Sequence, residues 1–302
     1  MLKGFAPLAF ALLLAACGEG QAPLTAPSTP PVEAPPPASP AKSLRRAHAH
    51  NDYEHTRPLL DALDAGFTSV EADVYVLPLP LPLGTLAGAA GVYVAHDPQD
   101  IRPERTLAAL YLEPLRARIT ENGGCVQKDC APFYLLIDAK TEAETTYAAI
   151  EAELAKFDAL FVKYENGGLR PGPVLVTLSG NRPRATMAAA TSRYTFYDGR
   201  FADLDSNDPV TLIPLISDSW ATQFGWDGSG EMPADQKAKL IDAMTKSHAK
   251  GRRVRLYAVP DTAGEARDTL WKTLLDIGQD HINTDDLEGL RAFLLANDPQ
   301  QR

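Results

Sequence analysis

Eight short runs of β-branched and aromatic residues, separated by stretches with helical spacing, leave few folds open to this chain. The runs lie at residues 46–50, 69–76, 133–140, 174–179, 194–197, 211–217, 254–259 and 281–283. Helical patterns fill the gaps. Residues 234–250 place Leu240, Ile241 and Met244 on one face and stop at Gly251. Thr56, with Pro58 in the first turn, opens another that ends at Gly66. Further stretches at 141–157, 182–190, 263–275 and 287–294 read the same way. Eight such units over about 255 residues predict the α/β class and one (β/α)8 TIM barrel. An open doubly wound sheet is the alternative, but no glycine-rich phosphate turn follows the first run. Residues 77–91 (LPLPLPLGTLAGAAG) interrupt the second unit. Their prolines exclude a central strand and make them an apolar loop or hairpin tip.

The N-terminus stands apart from that pattern. Lys3 precedes a twelve-residue apolar run at 5–16, too short for the roughly 20 residues of a membrane-spanning helix and suited to a secretory leader. The run ends Leu14-Ala15-Ala16-Cys17, which resembles a bacterial lipobox cut before Cys17. Residues 1–16 are therefore expected to be a signal peptide and residues 17–44 a lipidated cysteine with a linker, ahead of a barrel at 45–297. That implies a bacterial cell-envelope protein, lipid-anchored at Cys17 and facing the periplasm or exterior, with the membrane as partner. Residues 21–42 hold eight of the 25 prolines, a composition that stays extended and solvated. The formal charge of −10 argues against a nucleic-acid partner. Cys125 and Cys130 share a polar loop, and in an exported chain a local disulfide is expected; a zinc pair is the weaker alternative, since no further ligand is near in sequence.

Charged residues inside apolar strands need a reason. Glu71 and Asp73 are two apart in Ser69-Val70-Glu71-Ala72-Asp73-Val74, so both point to one face. Converging carboxylates repel unless a cation separates them, and a hard divalent ion prefers oxygen ligands. Asp138 and Lys140 repeat the device in the third run, giving a third carboxylate and a cation suited to a phosphate oxygen. Of six histidines, His48 and His50 share a face at the end of the first run, and His96 ends the VYVAHD run. Each of these can move a proton near neutral pH. His248 lies in a polar helix and His281 begins a run, both read as structural.

The set His50, Glu71-x-Asp73, His96-Asp97 and Asp138-x-Lys140 resembles the glycerophosphodiester phosphodiesterase and phosphatidylinositol phospholipase C-like superfamily. The opening His50-Asn51-Asp52-Tyr53 is similar to its little-characterised His-Asn-Asp-Tyr branch. The segments Ser179-Gly180-Asn181-Arg182-Pro183, Ile216-Ser217-Asp218-Ser219-Trp220 and Asn283-Thr284-Asp285-Asp286 extend the resemblance over residues 45–295. It implies a (β/α)8 barrel, Mg2+ or Ca2+ on Glu71, Asp73 and Asp138, and His50 and His96 as catalytic base and acid. Typical glycerophosphodiesterases follow the first histidine with a phosphate-contacting arginine. Here Asn51 stands there, leaving Asn51 and Lys140 as the phosphate-binding candidates. Trp220 and Tyr257, at the ends of late strands, would line a pocket for the alcohol part. The implied activity is metal-dependent hydrolysis of a glycerophosphodiester or phospholipid-like phosphodiester.

Two rivals compete with that reading. A metal-dependent amidohydrolase would use His48-Ala49-His50 and Asp285, but needs histidines on middle strands, and none lies between His96 and His248. A catalytically silent barrel would keep the same residues to bind a phosphorylated ligand or an envelope partner.

Overall fold

A computed structural model describes residues 42–77 and 90–301. Eight parallel strands form its centre: β1 Leu44–Ala49, β2 Phe67–Leu77, β3 Phe133–Ala139, β4 Val174–Gly180, β5 Thr195–Gly199, β6 Leu215–Ser219, β7 Arg253–Tyr257 and β8 Ile282–Thr284. They pair in the order β7-β6-β5-β4-β3-β2-β1-β8. One parallel bridge, Arg255 to His281, brings the two ends together, with the His281 amide donating to the Val254 carbonyl at 3.1 Å. The result is a nearly closed (β/α)8 barrel.

Helices cover the outside: α1 Leu60–Asp64, α2 Glu113–Glu121, α3 Ala143–Ala155, α4 Arg184–Ala189, α5 Trp220–Gln223, α6 Ala234–Ala249, α7 Glu265–Ile277 and α8 Leu287–Asn297. Spacing explains how they dock. In α7, Leu270, Trp271, Leu274 and Leu275 recur on one face and are buried. Gly278 then ends the helix at φ 93°, where a side chain would be strained. Under the helices the strands are buried on both faces, so β2 is buried almost throughout.

Several boundaries differ from the sequence reading, each for a local reason. β6 begins at Leu215 rather than Thr211, because Leu212 and Ile213 turn back onto the Pro209 carbonyl and Pro214 has no N–H for the ladder. β1 ends at Ala49, leaving His50 as the first residue past the strand. α1 starts at Leu60 without Thr56 as cap; instead the Asp52 carboxylate accepts from the Leu59 amide at 2.6 Å, and Leu59 holds φ 63°. Residues 78–89 lie outside the described residues, but their flanks pair: strand Gly91–Val94 runs antiparallel to β2, with Leu77 opposite Gly91. A small sheet of Lys163–Glu165, Gly168–Arg170 and Ser192–Arg193 lies off the barrel. Cys125 and Cys130 are joined in a disulfide, Cα to Cα 5.0 Å, in the loop that enters β3. Among the described residues no helix is long and apolar enough to cross a membrane.

Candidate active site

Strand alternation sends Glu71 and Asp73 into the barrel while Val70, Ala72 and Val74 face the helices. In register, Asp73 lies beside Asp138, and Asp138 beside Ser179. Oxygens from Glu71, Asp73 and Asp138 all lie within 4.8 Å of one another. A hard cation with ligands at about 2.0–2.6 Å spans such a separation, so the cluster can hold one divalent ion.

Two basic groups temper the repulsion. Lys140 Nζ lies 2.9 Å from Asp73 and 3.1 Å from Asp138. Arg255, on β7 and 3% exposed, donates to Glu71 Oε2 at 2.6 Å and to Asn283 Oδ1 at 2.8 Å. Burial works to raise the Glu71 pKa, but the Arg255 charge and the two nearby histidines hold it well below the usual carboxylate range. Asp73 behaves oppositely: burial first, then the Glu71 charge, pushes it up to about 6 despite Lys140. Lys140 is raised, because Asp138 and Asp73 outweigh its burial.

His50 stands at the rim with Nδ1 2.8 Å from Asp285 and Nε2 3.8 Å from Glu71. Burial opposes its charged form, yet the Asp285 hydrogen bond and the Glu71 charge prevail and raise its pKa. His48 lies deeper, with Nδ1 2.7 Å from Ser69 Oγ. Burial and then Arg255 pull His48 down to about 3, so it is neutral. His96, two residues beyond strand Gly91–Val94, brings its Nδ1 to 3.6 Å from Asp73 Oδ2. The Tyr53 hydroxyl links them, 2.7 Å from Asp73, 2.8 Å from Asn51 Oδ1 and 2.9 Å from His96 Nδ1.

Asn51 adopts a left-handed conformation that turns its side chain toward Tyr53, with its amide oxygen 2.8 Å from the Tyr53 hydroxyl. Trp220 does not line the mouth. It is 1% exposed, donates its indole N–H to the Trp226 carbonyl at 2.8 Å and packs against Phe224. Tyr257, half-buried at the end of β7, lies under the guanidinium groups of Arg255 and Arg200. The structural readings of His248 and His281 agree with their surroundings: His248 pairs with Asp280 on the surface, and His281 is buried against Tyr134. Sequence reasoning missed Arg255 and Tyr53. Arg255 had a signal, an arginine inside the β-branched run Arg253-Val254-Arg255-Leu256-Tyr257, of the same kind that exposed Glu71.

Similarity to known proteins covers most of this chain. Residues 43–198, from before β1 through most of β5, match the family described as AIM6-like phosphodiesterase domain. The chain belongs to this family. Two fungal relatives extend the similarity beyond the matched segment. "Altered inheritance of mitochondria protein 6" of Eremothecium gossypii is 27% identical over 280 residues, covering 83% of this chain and 69% of its own length. The homolog of that protein in Arthroderma benhamiae is 28% identical over 271 residues, covering 82% of both. A glycerophosphoryl diester phosphodiesterase from Parabacteroides distasonis shares the AIM6-like fold at 12% identity and a TM-score of 0.50, covering 85% of this chain and 88% of its own.

These relatives overturn one expectation. The bacterial cell-envelope location facing the periplasm or exterior rested on Leu14-Ala15-Ala16-Cys17, whereas relatives aligned over four fifths of the chain are fungal and named for mitochondrial inheritance. A four-residue motif closing an apolar run is common by chance and cannot outweigh an alignment of that length. The bacterial envelope assignment falls, and a membrane partner reached through lipid on Cys17 has no support from these relatives. Cys17 and the rest of residues 1–41 lie outside the described residues.

Proposed function

We propose that this AIM6-like domain hydrolyses a small phosphodiester, of the glycerophosphodiester or phospholipid-like class, with one divalent cation, Mg2+ or Ca2+, on Glu71, Asp73 and Asp138. The observation that carries the reading is the convergence of these three carboxylates, with His50 beside Glu71 and His96, from a different element, beside Asp73. The bound ion would neutralise charge on the phosphate and stabilise the charge that develops in the transition state.

The protein's own groups do the rest. His50, held at Nδ1 by Asp285, keeps Nε2 free to take the proton of the attacking hydroxyl. That hydroxyl is water, or the substrate's own, in which case a cyclic phosphate forms. Tyr53 has one hydroxyl proton, and the nearest acceptor is the Asp73 carboxylate; its oxygen then accepts from the His96 Nδ1–H. As an imidazolium His96 then carries a second proton on Nε2, which it delivers to the departing alkoxide, leaving the neutral ring with Nδ1–H still on Tyr53. Lys140 meets a non-bridging oxygen.

Hydrolysis of bis(p-nitrophenyl) phosphate by the full chain tests the proposal. Chelation should abolish it, and Mg2+ or Ca2+ should restore it. The Arg255–Glu71 ion pair favours a second reading, because it neutralises part of the acid cluster from within. Such a barrel would bind a phosphorylated ligand without turnover, and metal-independent absence of hydrolysis in the same assay would favour it.

A further inference from the structure

Several cations around the acid cluster already have carboxylate partners. Lys140 is divided between Asp73 and Asp138, Arg255 between Glu71 and Asn283, and Arg200 is tied to Asp198. Arg184 pairs with Asp203 and Asp208. Arg182 differs from all of them. Among the described residues no carboxylate lies within ion-pair distance of it, and its Nε is buried without a hydrogen-bond partner. It is half-buried, with its guanidinium 4.5 Å from the centre of the Tyr197 ring and Nη1 donating to the Gly180 carbonyl at 2.7 Å.

Its position relates it to the acid cluster. The loop after β4 is laid over the end of β3: the Asn181 amide donates to the Ala139 carbonyl at 2.8 Å, and the Asn181 side chain donates to the Lys140 carbonyl at 3.3 Å. Gly180, at φ 64°, sits so close to Asp138 that a Cβ there would lie 2.0 Å from its Oδ1. The carbonyl that holds Arg182 thus belongs to the residue in contact with a proposed metal ligand.

A desolvated guanidinium without a counter-charge is costly, and an anion with paired oxygens is the ligand that relieves it. Resting on the phosphodiesterase reading above, we propose that Arg182 is the phosphate anchor of the substrate. Its guanidinium takes phosphate oxygens from the β4 side and fills the role left open where Asn51 stands in place of an arginine. Burial, which lowers the Arg182 pKa against the more distant charges of Asp198 and Asp138, agrees with a cation that lacks its partner.

The test is calorimetric titration of the Mg2+-loaded full chain with inorganic phosphate, alongside steady-state hydrolysis of bis(p-nitrophenyl) phosphate. Arg182→Met keeps the packing on Tyr197 and removes the charge. It should weaken phosphate binding roughly 10- to 100-fold and raise KM far more than it lowers kcat. Arg182→Lys, which keeps the charge but loses the fork, should fall between; Arg182→Gln reads the same loss if the methionine variant folds poorly. Arg116→Met, on the surface, should match wild type. Phosphate affinity unchanged in Arg182→Met or Arg182→Gln, or no phosphate binding by the wild type, overturns the proposal. Arg182-dependent phosphate binding without hydrolysis of any diester keeps the anchor and removes the hydrolase reading instead.

Discussion

Two acid clusters share the inside of the barrel. Asp198 on β5 is wholly buried, and both its oxygens are taken: Ser217 donates to one, Ser179 (2.7 Å) and Arg200 to the other. Arg200 also reaches both serine hydroxyls at 3.2 Å, so the partners hold one another as well as the acid. Around Glu71, Asp73 and Asp138 three acids converge on two cations, and burial, then the Glu71 charge, lifts Asp73 to about 6. Asp138 and Ser179 are in register on adjacent strands, so the two clusters meet in one layer of the barrel. The difference lies in satisfaction. A buried acid with all its partners is structural, whereas converging acids short of cations call for a ligand.

Substitutions can break this contrast. The largest effect is expected at the rim: His50→Ala and His96→Ala should each slow turnover roughly 10²- to 10⁴-fold with the fold intact, and His48→Ala clearly less. Equal loss in His48→Ala, with metal binding intact, would move the base to His48. Next comes Asp198→Ala, which strands Arg200 and should cost about 3–5 kcal/mol in urea melts. Asp138→Ala should cost far less stability and lose the divalent-ion binding seen by calorimetry; equal destabilisation would erase the distinction between the clusters.

A pH titration probes a further buried acid. Burial pushes Asp52 up to about 7, against hydrogen bonds from Leu59 and Tyr111. Its folded form therefore holds a proton that the unfolded chain releases near pH 4. Stability should fall as pH rises from about 4 through 7, by a few kcal/mol at most, and Asp52→Asn should flatten that decline. The smallest effect concerns the loop at the other end of β3. Cys125→Ser with Cys130→Ser should cost about 2 kcal/mol and leave turnover unchanged, separating general stability from chemistry.

Much of the barrel was legible because strand and helix periods alternate with few exceptions. The acids Glu71, Asp73 and Asp138 were legible for the same reason: parity on a strand fixes which side chains share a face. What the sequence hid depends on distance along the chain. Arg255 meets Glu71 across 184 residues, and no local pattern pairs them. Tyr53 looked like one letter of a four-residue motif, and only folding brings its hydroxyl between Asp73 and His96. Trp220 at a strand end looked like a pocket wall, but α5 turns it into the core beside Phe224 and Trp226. The N-terminal motif misled because short apolar leaders look alike across kingdoms.

The closure between β7 and β8 has a mechanical consequence. Elsewhere in the ring a ladder of amides joins neighbouring strands, but at this seam side chains do much of the joining. Arg255 reaches Asn283, Arg253 reaches His281 at 3.0 Å, and the Asp280 carboxylate accepts the Val254 amide at 2.9 Å. Arg255 therefore serves two masters, the seam and Glu71. Any ligand that draws Glu71 away from Arg255 also changes the load on the seam, so occupancy of the mouth should be readable as altered amide exchange at Val254 and His281, far from the rim.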